Sequence, residues 1–302
     1  MKEHSIWVEK YRPKQLEDYI GNENLKLFIK QCLESQNIPH LLLYSSPGTG
    51  KTTLSKILTK NIKCSYLYIN ASDERGIDTI RDKVQRFAQA ASFEPVKIVI
   101  LDEADYLTTQ AQASLRNIIE TYSLNTRFIL TCNYVERIIE PLHSRCQTFK
   151  VIPPSKQEVA EYVTKILDKE SIKYEIETLV PIIKKCYPDI RKVINTCQSL
   201  VKDGELKLDG SLIIDSSYLP KILEELKGKP NWKNIRQIIV DSNISEFEEV
   251  YRYLYDHVEE YARGNEGQII IKIEEYLYHA NFRVDKEINL AAFISTLIEI
   301  IK

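Results

Sequence analysis

Ser45-Ser46-Pro47-Gly48-Thr49-Gly50-Lys51-Thr52-Thr53 is the stretch that decides how this chain reads. An apolar run, His40 to Tyr44, leads into it as a buried strand, and a helical run, Thr52 to Asn61, leads out. Strand, glycine loop, Lys-Thr and helix form the arrangement that cradles a nucleotide triphosphate. Gly48 and Gly50 let consecutive backbone N–H groups turn inward with no Cβ in the way. The helix start adds the positive end of its dipole. Pro47, Gly48, Thr49, Gly50, Lys51, Thr52 and Thr53 would then surround the phosphates. Lys51 would reach the β- and γ-oxygens, and Thr52 would offer its hydroxyl to Mg²⁺. One position departs from the pattern, which asks for glycine where Ser45 stands. The plain alternative is a glycine turn between a strand and a helix.

A second feature, some fifty residues on, argues against that alternative. Ile98-Val99-Ile100-Leu101 is a strand buried on both faces, and it delivers Asp102-Glu103 at its end. Asp102 is placed to hold the hydration shell of Mg²⁺, and Glu103 to orient and polarise an attacking water. Asn133 ends the next buried strand, where its amide would meet the γ-phosphate or the water. Asn70 ends the neighbouring strand, and its amide is expected to hold Glu103 back from the water until a signal arrives. Arg145, in Ser144-Arg145-Cys146, lies on a loop before the last strand, from which a guanidinium would reach a neighbouring subunit's γ-phosphate. Arg191 starts a later helix and would close it onto the triphosphate. For either arginine alone, an ordinary salt bridge is the competing explanation.

In chain order, Trp7 to Pro13 (WVEKYRP) reads as an extended arm whose aromatics would lie over a nucleobase. Helical spacing covers 22–34, 77–91 and 108–122, and strands are expected at 65–70, 97–101, 127–132 and 148–152. Strands alternating with helices, with polar residues at strand C-terminal ends, predict an α/β fold with a parallel sheet. Pro153-Pro154 breaks that pattern. Helices follow at 156–170, 176–186 and 190–201, with one weak strand signal at 211–214. Gly204 to Ser217 is turn-rich, and the remainder is helical, most clearly at 251–261, 269–278 and 288–301. The expected division is a nucleotide-binding domain at 1–152, a small helical lid at 153–215 and a helical C-terminal domain at 216–302.

Composition narrows the function classes. The 302 residues are 43% hydrophobic and 28% charged, as in a globular protein of two or three domains. No run is long and apolar enough for a bilayer span, and the N-terminus lacks a signal-peptide core, so an intracellular location is expected. The six cysteines form no C-x-x-C pair and the histidines no H-x-x-x-H, which leaves zinc modules and metallohydrolases without support. Net charge is −2, but it is unevenly spread. The first 150 residues carry 20 Lys and Arg against 17 Asp and Glu, and the remainder 21 against 26. Any DNA contact would therefore use a local basic face in the first half.

These pieces, in this order, resemble the AAA+ ATPases, and more narrowly the clamp-loader small subunits of the replication factor C type. The residues that carry the resemblance are Trp7–Pro13, the loop Pro47–Thr53 and Asn70–Arg81 (NASDERGIDTIR). They continue with Leu101–Asp105 (LDEAD), Gln112–Arg116 (QASLR), Thr131–Tyr134 (TCNY), Ser144–Cys146 (SRC) and Pro188–Asn195 (PDIRKVIN). The match spans the first two domains; the last third agrees in helical character and length only. The resemblance implies an ATP hydrolase that uses Mg²⁺ and works in a pentamer with other loader subunits. That assembly would open a sliding clamp, place it on primer–template DNA without reading sequence, and release it on hydrolysis, with no membrane involved.

By motif, Arg145 would be the finger given in trans, Asn133 the first sensor and Arg191 the second. Tyr11 and Arg12 would lie near adenine. Arg75, Ile77 and Arg81 would face DNA phosphates, with a solvated helix face as the plainer reading of these basic residues. Gln112 and Arg116 would couple the DNA face to the ATP site. The C-terminal helices would form an oligomerising collar. Ser45, the slightly short chain and the compact C-terminal domain are features shared with phage and viral loaders, and the Ile/Lys/Asn-rich composition fits an AT-rich genome; together they point to a viral or archaeal-like source. The alternatives are another AAA+ DNA motor, such as a branch-migration helicase, and a nucleotide-switched structural subunit that never hydrolyses.

Overall fold

A computed structural model describes residues 6–208, 218–228, 230–242, 247–280 and 285–301. These divide into two compact units, Met1–Leu208 and Asp209–Lys302. The expected strand at 211–214 lies outside the described residues.

The first unit is built on five parallel strands: β1 (Leu41–Tyr44), β2 (Cys64–Asn70), β3 (Val96–Asp102), β4 (Thr126–Cys132) and β5 (Gln147–Lys150). Their order across the sheet is β2-β3-β4-β1-β5. The apolar runs explain why β1, β3 and β4 occupy the centre. Consecutive side chains of a strand point to opposite faces, so a strand covered on both sides must be apolar at every position. Leu41 and Leu43 enter one core with Ile98, Ile100 and Ile129, while Leu42 enters the other with Val99, Leu101, Phe128 and Leu130. Each such side chain contributes about 1.5–3 kcal/mol through its removal from water.

The helices sort by face. Glu23–Ser35 and Lys51–Asn61 pack on the Leu41 side, whereas the helix at 77–89 and Thr109–Tyr122 pack on the Leu42 side. The connection leaving β1 thus turns to one face, and those leaving β3 and β4 turn to the other. A crevice opens between them at the carboxyl ends of the strands. Register brings the ends together: Asn70 pairs with Asp102, and Tyr44 with Cys132. The 77–89 helix contains a π-helical stretch at Ile80–Gln85.

Three helices complete the first unit: Lys156–Lys169, Ile176–Cys186 and Ile190–Leu200. The first opens with a full capping box between Ser155 and Glu158, which satisfies two otherwise orphaned backbone donors. A two-stranded hairpin follows, β6 (Val201–Lys202) and β7 (Glu205–Leu206), turning through Asp203-Gly204. The sequence reading missed it because two-residue strands are too short to show alternation. Asp203-Gly204, with φ of 54° and 75°, was the signal available.

The arm is also corrected. Trp7–Lys10 forms one helical turn with Trp7 buried, where an extended segment was expected. Pro13 restricts only the residue before it, and the turn docks on the later helices: the Trp7 N–H donates to Gln198 Oε1 at 2.9 Å and Tyr162 Oη donates to the Tyr11 carbonyl at 2.5 Å.

The second unit is helical, with Tyr218–Lys227, Trp232–Asp241, Glu248–Asp256, Val258–Tyr261, Glu266–Ala280 and Lys286–Ile301 surrounding one core. Tyr218, Tyr251, Tyr261 and Phe293 are the largest of its fully buried side chains among the described residues. No helix among the described residues is long and apolar enough to cross a membrane.

Candidate functional site

The crevice at the strand ends is a cleft enclosing about 970 Å³ of space open to solvent. The glycine loop forms its floor. Gly48 (φ 74°) and Gly50 (φ 99°) have the backbone that the motif predicts. A Cβ on Gly48 would sit 1.8 Å from Asp189 Oδ1, and one on Gly50 would sit 2.9 Å from the Tyr19 ring. Ser45 needs no such freedom. It is buried with ordinary φ, its N–H donates to the Cys132 carbonyl at 3.3 Å, and its own carbonyl accepts from Lys51. The backbone at this position therefore does not demand glycine.

Lys51 opens the helix that leaves the loop. Its Nζ donates to the Ser45 and Ser46 carbonyls and to Asn133 Oδ1, each at 2.8 Å. The lysine and the asparagine that the sequence placed on separate motifs thus share one hydrogen bond. Burial holds the Lys51 ammonium below the usual lysine range, and Arg191 adds to this, while Cys132, Asp102 and Asp105 oppose it.

Asp102, buried at the end of β3, accepts from three hydroxyls. Thr52 Oγ1 lies 2.8 and 3.0 Å from its two oxygens, Thr131 Oγ1 lies 2.5 Å from Oδ1, and Tyr68 Oη lies 2.8 Å from Oδ2. Burial, then the Asp102 contact, pushes the Tyr68 phenol well above its ordinary ionisation range. Thr52 and Asp102 offer hard oxygens to the cleft, and no group of three His, Cys, Asp or Glu that could hold a metal ion occurs among the described residues. One hydroxyl and one carboxylate, completed by phosphate oxygens and water, is a set that suits Mg²⁺ rather than a softer metal.

Glu103 lines the same cleft in a left-handed conformation, φ 56°, with its N–H donating to Thr131 Oγ1 at 3.1 Å. A glutamate held there is strained, which is common where geometry serves chemistry. Asp105 was missed by the sequence reading. Its buried Oδ2 accepts from the N–H groups of Asn133 (3.3 Å) and Tyr134 (3.2 Å), fixing the backbone that aims Asn133 at Lys51. Thr131 and Tyr68 were missed too; only strand register reveals them.

Other predicted residues fall in several places. Pro47 to Thr53, Arg12, Asp102, Glu103, Asn133 and Arg191 all line the cleft. Tyr11 does not: its hydroxyl donates to Glu170 at 2.7 Å, and Val8, Pro13 and Ile20 take the apolar wall in its stead. Asn70 is engaged away from Glu103. Its amide donates to Asp73 at 3.1 Å and its oxygen accepts from the Ser72 N–H and hydroxyl, so it caps its own turn. That overturns the expected Asn70–Glu103 contact. A short amide beginning a turn has its own backbone groups nearer than the next strand's acid.

Arg145 lies outside its own cleft, where Glu120 and the Pro141 carbonyl (2.7 Å) hold the guanidinium. Arg75 caps the Ser72 carbonyl at 2.9 Å and stacks 5.2 Å above the Tyr106 ring. Ile77 is half-buried at the helix start, and Arg81 is exposed. Gln112 is buried and joins two segments: it donates to the Leu107 (3.2 Å) and Arg137 (3.0 Å) carbonyls and accepts from the Ile139 N–H (2.9 Å). Arg116 is exposed and contacts the Asn117 side chain.

A glycine loop after β1, an acid pair at the carboxyl end of β3 two strands away and an amide at the carboxyl end of β4 bonded to the loop lysine form the arrangement of a nucleotide hydrolase. Residues 41–154 match the model of the ATPase family associated with various cellular activities. The chain is an AAA ATPase, an enzyme that binds and hydrolyses ATP. The replication factor C small subunit of Aeropyrum pernix is 36% identical over 97% of this chain and 95% of that protein. Its counterpart in Sulfolobus acidocaldarius is 33% identical over 98% and 97%, and that of Archaeoglobus fulgidus 41% over 75% and 73%. The chain belongs to the replication factor C small subunit family. A solved structure of the Thermotoga maritima RuvB Holliday junction branch migration motor shares the fold, with a TM-score of 0.57 at 19% identity over 72% of this chain and 80% of that one.

Proposed function

We propose that this chain is the ATPase subunit of a DNA sliding-clamp loader. ATP, with Mg²⁺ held by Thr52 and Asp102, gathers several subunits into an open spiral. The spiral opens the clamp and grips primer–template DNA, and hydrolysis releases it. The observation that carries this reading is the position of Arg145. The cleft supplies Lys51, Arg191 and Arg12 from its own chain, yet the arginine of the Ser-Arg-Cys motif points elsewhere. A neighbour's Arg145 would complete the site, so turnover belongs to the assembled seam.

Within that reading, Glu103 polarises the water and Asn133, tied to Lys51 and braced by Asp105, senses the γ-phosphate. Arg191 draws the helices of the 153–215 lid onto the nucleotide. Arg75, Ile77 and Arg81 face DNA phosphates, giving sequence-independent, salt-sensitive binding. Gln112 carries that contact toward the ATP site, because it bridges the Thr109–Tyr122 helix and the segment between Asn133 and Arg145; Arg116 extends the same face. Residues 216–302 act as the collar that keeps a pentamer together, and the complex works inside the cell. The test is ATP turnover by the chain with its companion subunits, with and without clamp and primed DNA. Stimulation requiring both supports a loader. Stimulation by DNA alone, indifferent to the clamp, would favour a different DNA motor.

A further inference from the structure

We infer that Tyr68 is a positioning residue for the metal-binding carboxylate: its phenol hydroxyl fixes the orientation in which Asp102 meets Mg²⁺. The inference rests on the ATP–Mg²⁺ reading of the cleft and concerns a residue that no part of that reading uses.

Tyr68 lies on β2, the edge strand, where its register partner on β3 is Ile100. Asp102 is two residues further along. From that diagonal position only a long side chain ending in a donor reaches the carboxylate, and the Tyr68 hydroxyl arrives at 2.8 Å from Oδ2. The other partners of Asp102 divide unequally. Oδ1 accepts from Thr52 (2.8 Å) and Thr131 (2.5 Å), while Oδ2 is otherwise met by Thr52 alone at 3.0 Å. Thr52 is also the hydroxyl that would face the metal, so its hold on Oδ2 is the weaker one. Tyr68 is thus the independent anchor of that oxygen. The ring is itself steadied: the Lys56 ammonium sits 5.4 Å from its centroid. Groups that orient a metal-binding carboxylate commonly set metal affinity by tenfold or more.

The experiment uses Tyr68→Phe, which keeps the ring and removes one oxygen. Affinity for a fluorescent ATP analogue is measured in Mg²⁺ and again in EDTA. In wild type, Mg²⁺ tightens binding by some ratio; in Tyr68→Phe that ratio falls about tenfold, while the EDTA affinity stays at the wild-type value. The Mg²⁺ concentration for half-maximal binding rises by a similar factor. An unchanged or larger ratio overturns the inference. So does a loss that appears equally in EDTA, since that would mark a packing defect. If wild type itself gains nothing from Mg²⁺, the metal reading of the cleft fails; if it gains and Tyr68→Phe gains as much, only the role of the tyrosine fails.

Discussion

The two units of this chain bury different chemistry. Among the described residues, Ser45, Thr49, Lys51, Ser55, Thr59, Lys97, Asp102, Asp105, Gln112, Thr126 and Thr131 are buried polar or charged side chains of the first unit. In the second unit Asn289 is the counterpart among the described residues, inside a core of Leu, Ile, Tyr and Phe. A buried polar group is costly unless it is paired, so a fold keeps many of them only where they do something packing cannot. Ser45, Thr49, Lys51, Asp102, Asp105 and Thr131 lie at the carboxyl edge of its sheet, where Lys51 meets Asn133, whereas Lys97 and Thr126 lie at the opposite edge. The second unit spends its sequence on helix packing. Stability and chemistry are therefore separable by position.

The sharpest way to break this contrast is Lys51→Ala. The variant should remain folded, although losing Nζ strands the Ser45 and Ser46 carbonyls and Asn133 Oδ1, and it should lose ATP binding and turnover to the assay background. A variant that still hydrolyses ATP would detach the cleft from the chemistry. Asn289→Ala should do the reverse. Asn289 Nδ2 donates to Tyr251 Oη at 3.0 Å and to the Tyr276 carbonyl at 2.9 Å, so its loss strands both acceptors and costs about 1–3 kcal/mol in denaturant unfolding. Nucleotide affinity of the folded variant should not change. A shift in affinity would show that the second unit does more than pack.

The smallest effect is a pH dependence. His40 accepts from the Phe128 N–H through Nδ1 at 3.2 Å, and burial followed by the nearby Arg127 lowers its ionisation to about 4. Its folded pKa lies below its unfolded value near 6.5, so the unfolded chain binds the extra proton first. Stability should fall as pH drops from about 6.5 to about 4 and level off below, by roughly 1–2 kcal/mol once partial exposure is allowed for. His40→Asn should flatten that slope in urea titrations; an unchanged slope would assign the dependence to the carboxylates.

How legible each unit was follows from the same contrast. Three apolar runs revealed the central strands, because burial on both faces writes itself into consecutive residues. The loop lysine, the Asp-Glu pair and Asn133 were legible because each sits in its own short motif at a strand end, although the Lys51–Asn133 bond spans 82 positions of chain. Tyr68, Thr131 and Asp105 were not, since their roles arise from strand register across 28 to 34 positions of chain. Tyr11 was misplaced for a related reason: aromatic content suggested the nucleobase, but its hydroxyl bonds Glu170, the residue that caps the end of the Lys156–Lys169 helix far downstream. Asn70 failed the other way, by a local turn outcompeting a cross-strand contact.

The central claim is that each ATP site is completed by the neighbouring protomer, and mixing two dead variants tests it most directly. Arg145→Ala keeps the pocket and lacks the finger; Lys51→Ala keeps the finger and lacks the pocket. Each alone, assembled with companion subunits, clamp and primed DNA, should turn over about 10³-fold slower than wild type or worse. Assembled together, an intact pocket sits beside an intact Arg145 at a share of the seams, and turnover should recover to a sizeable fraction of wild type. Mixtures no more active than either variant alone would contradict the shared site.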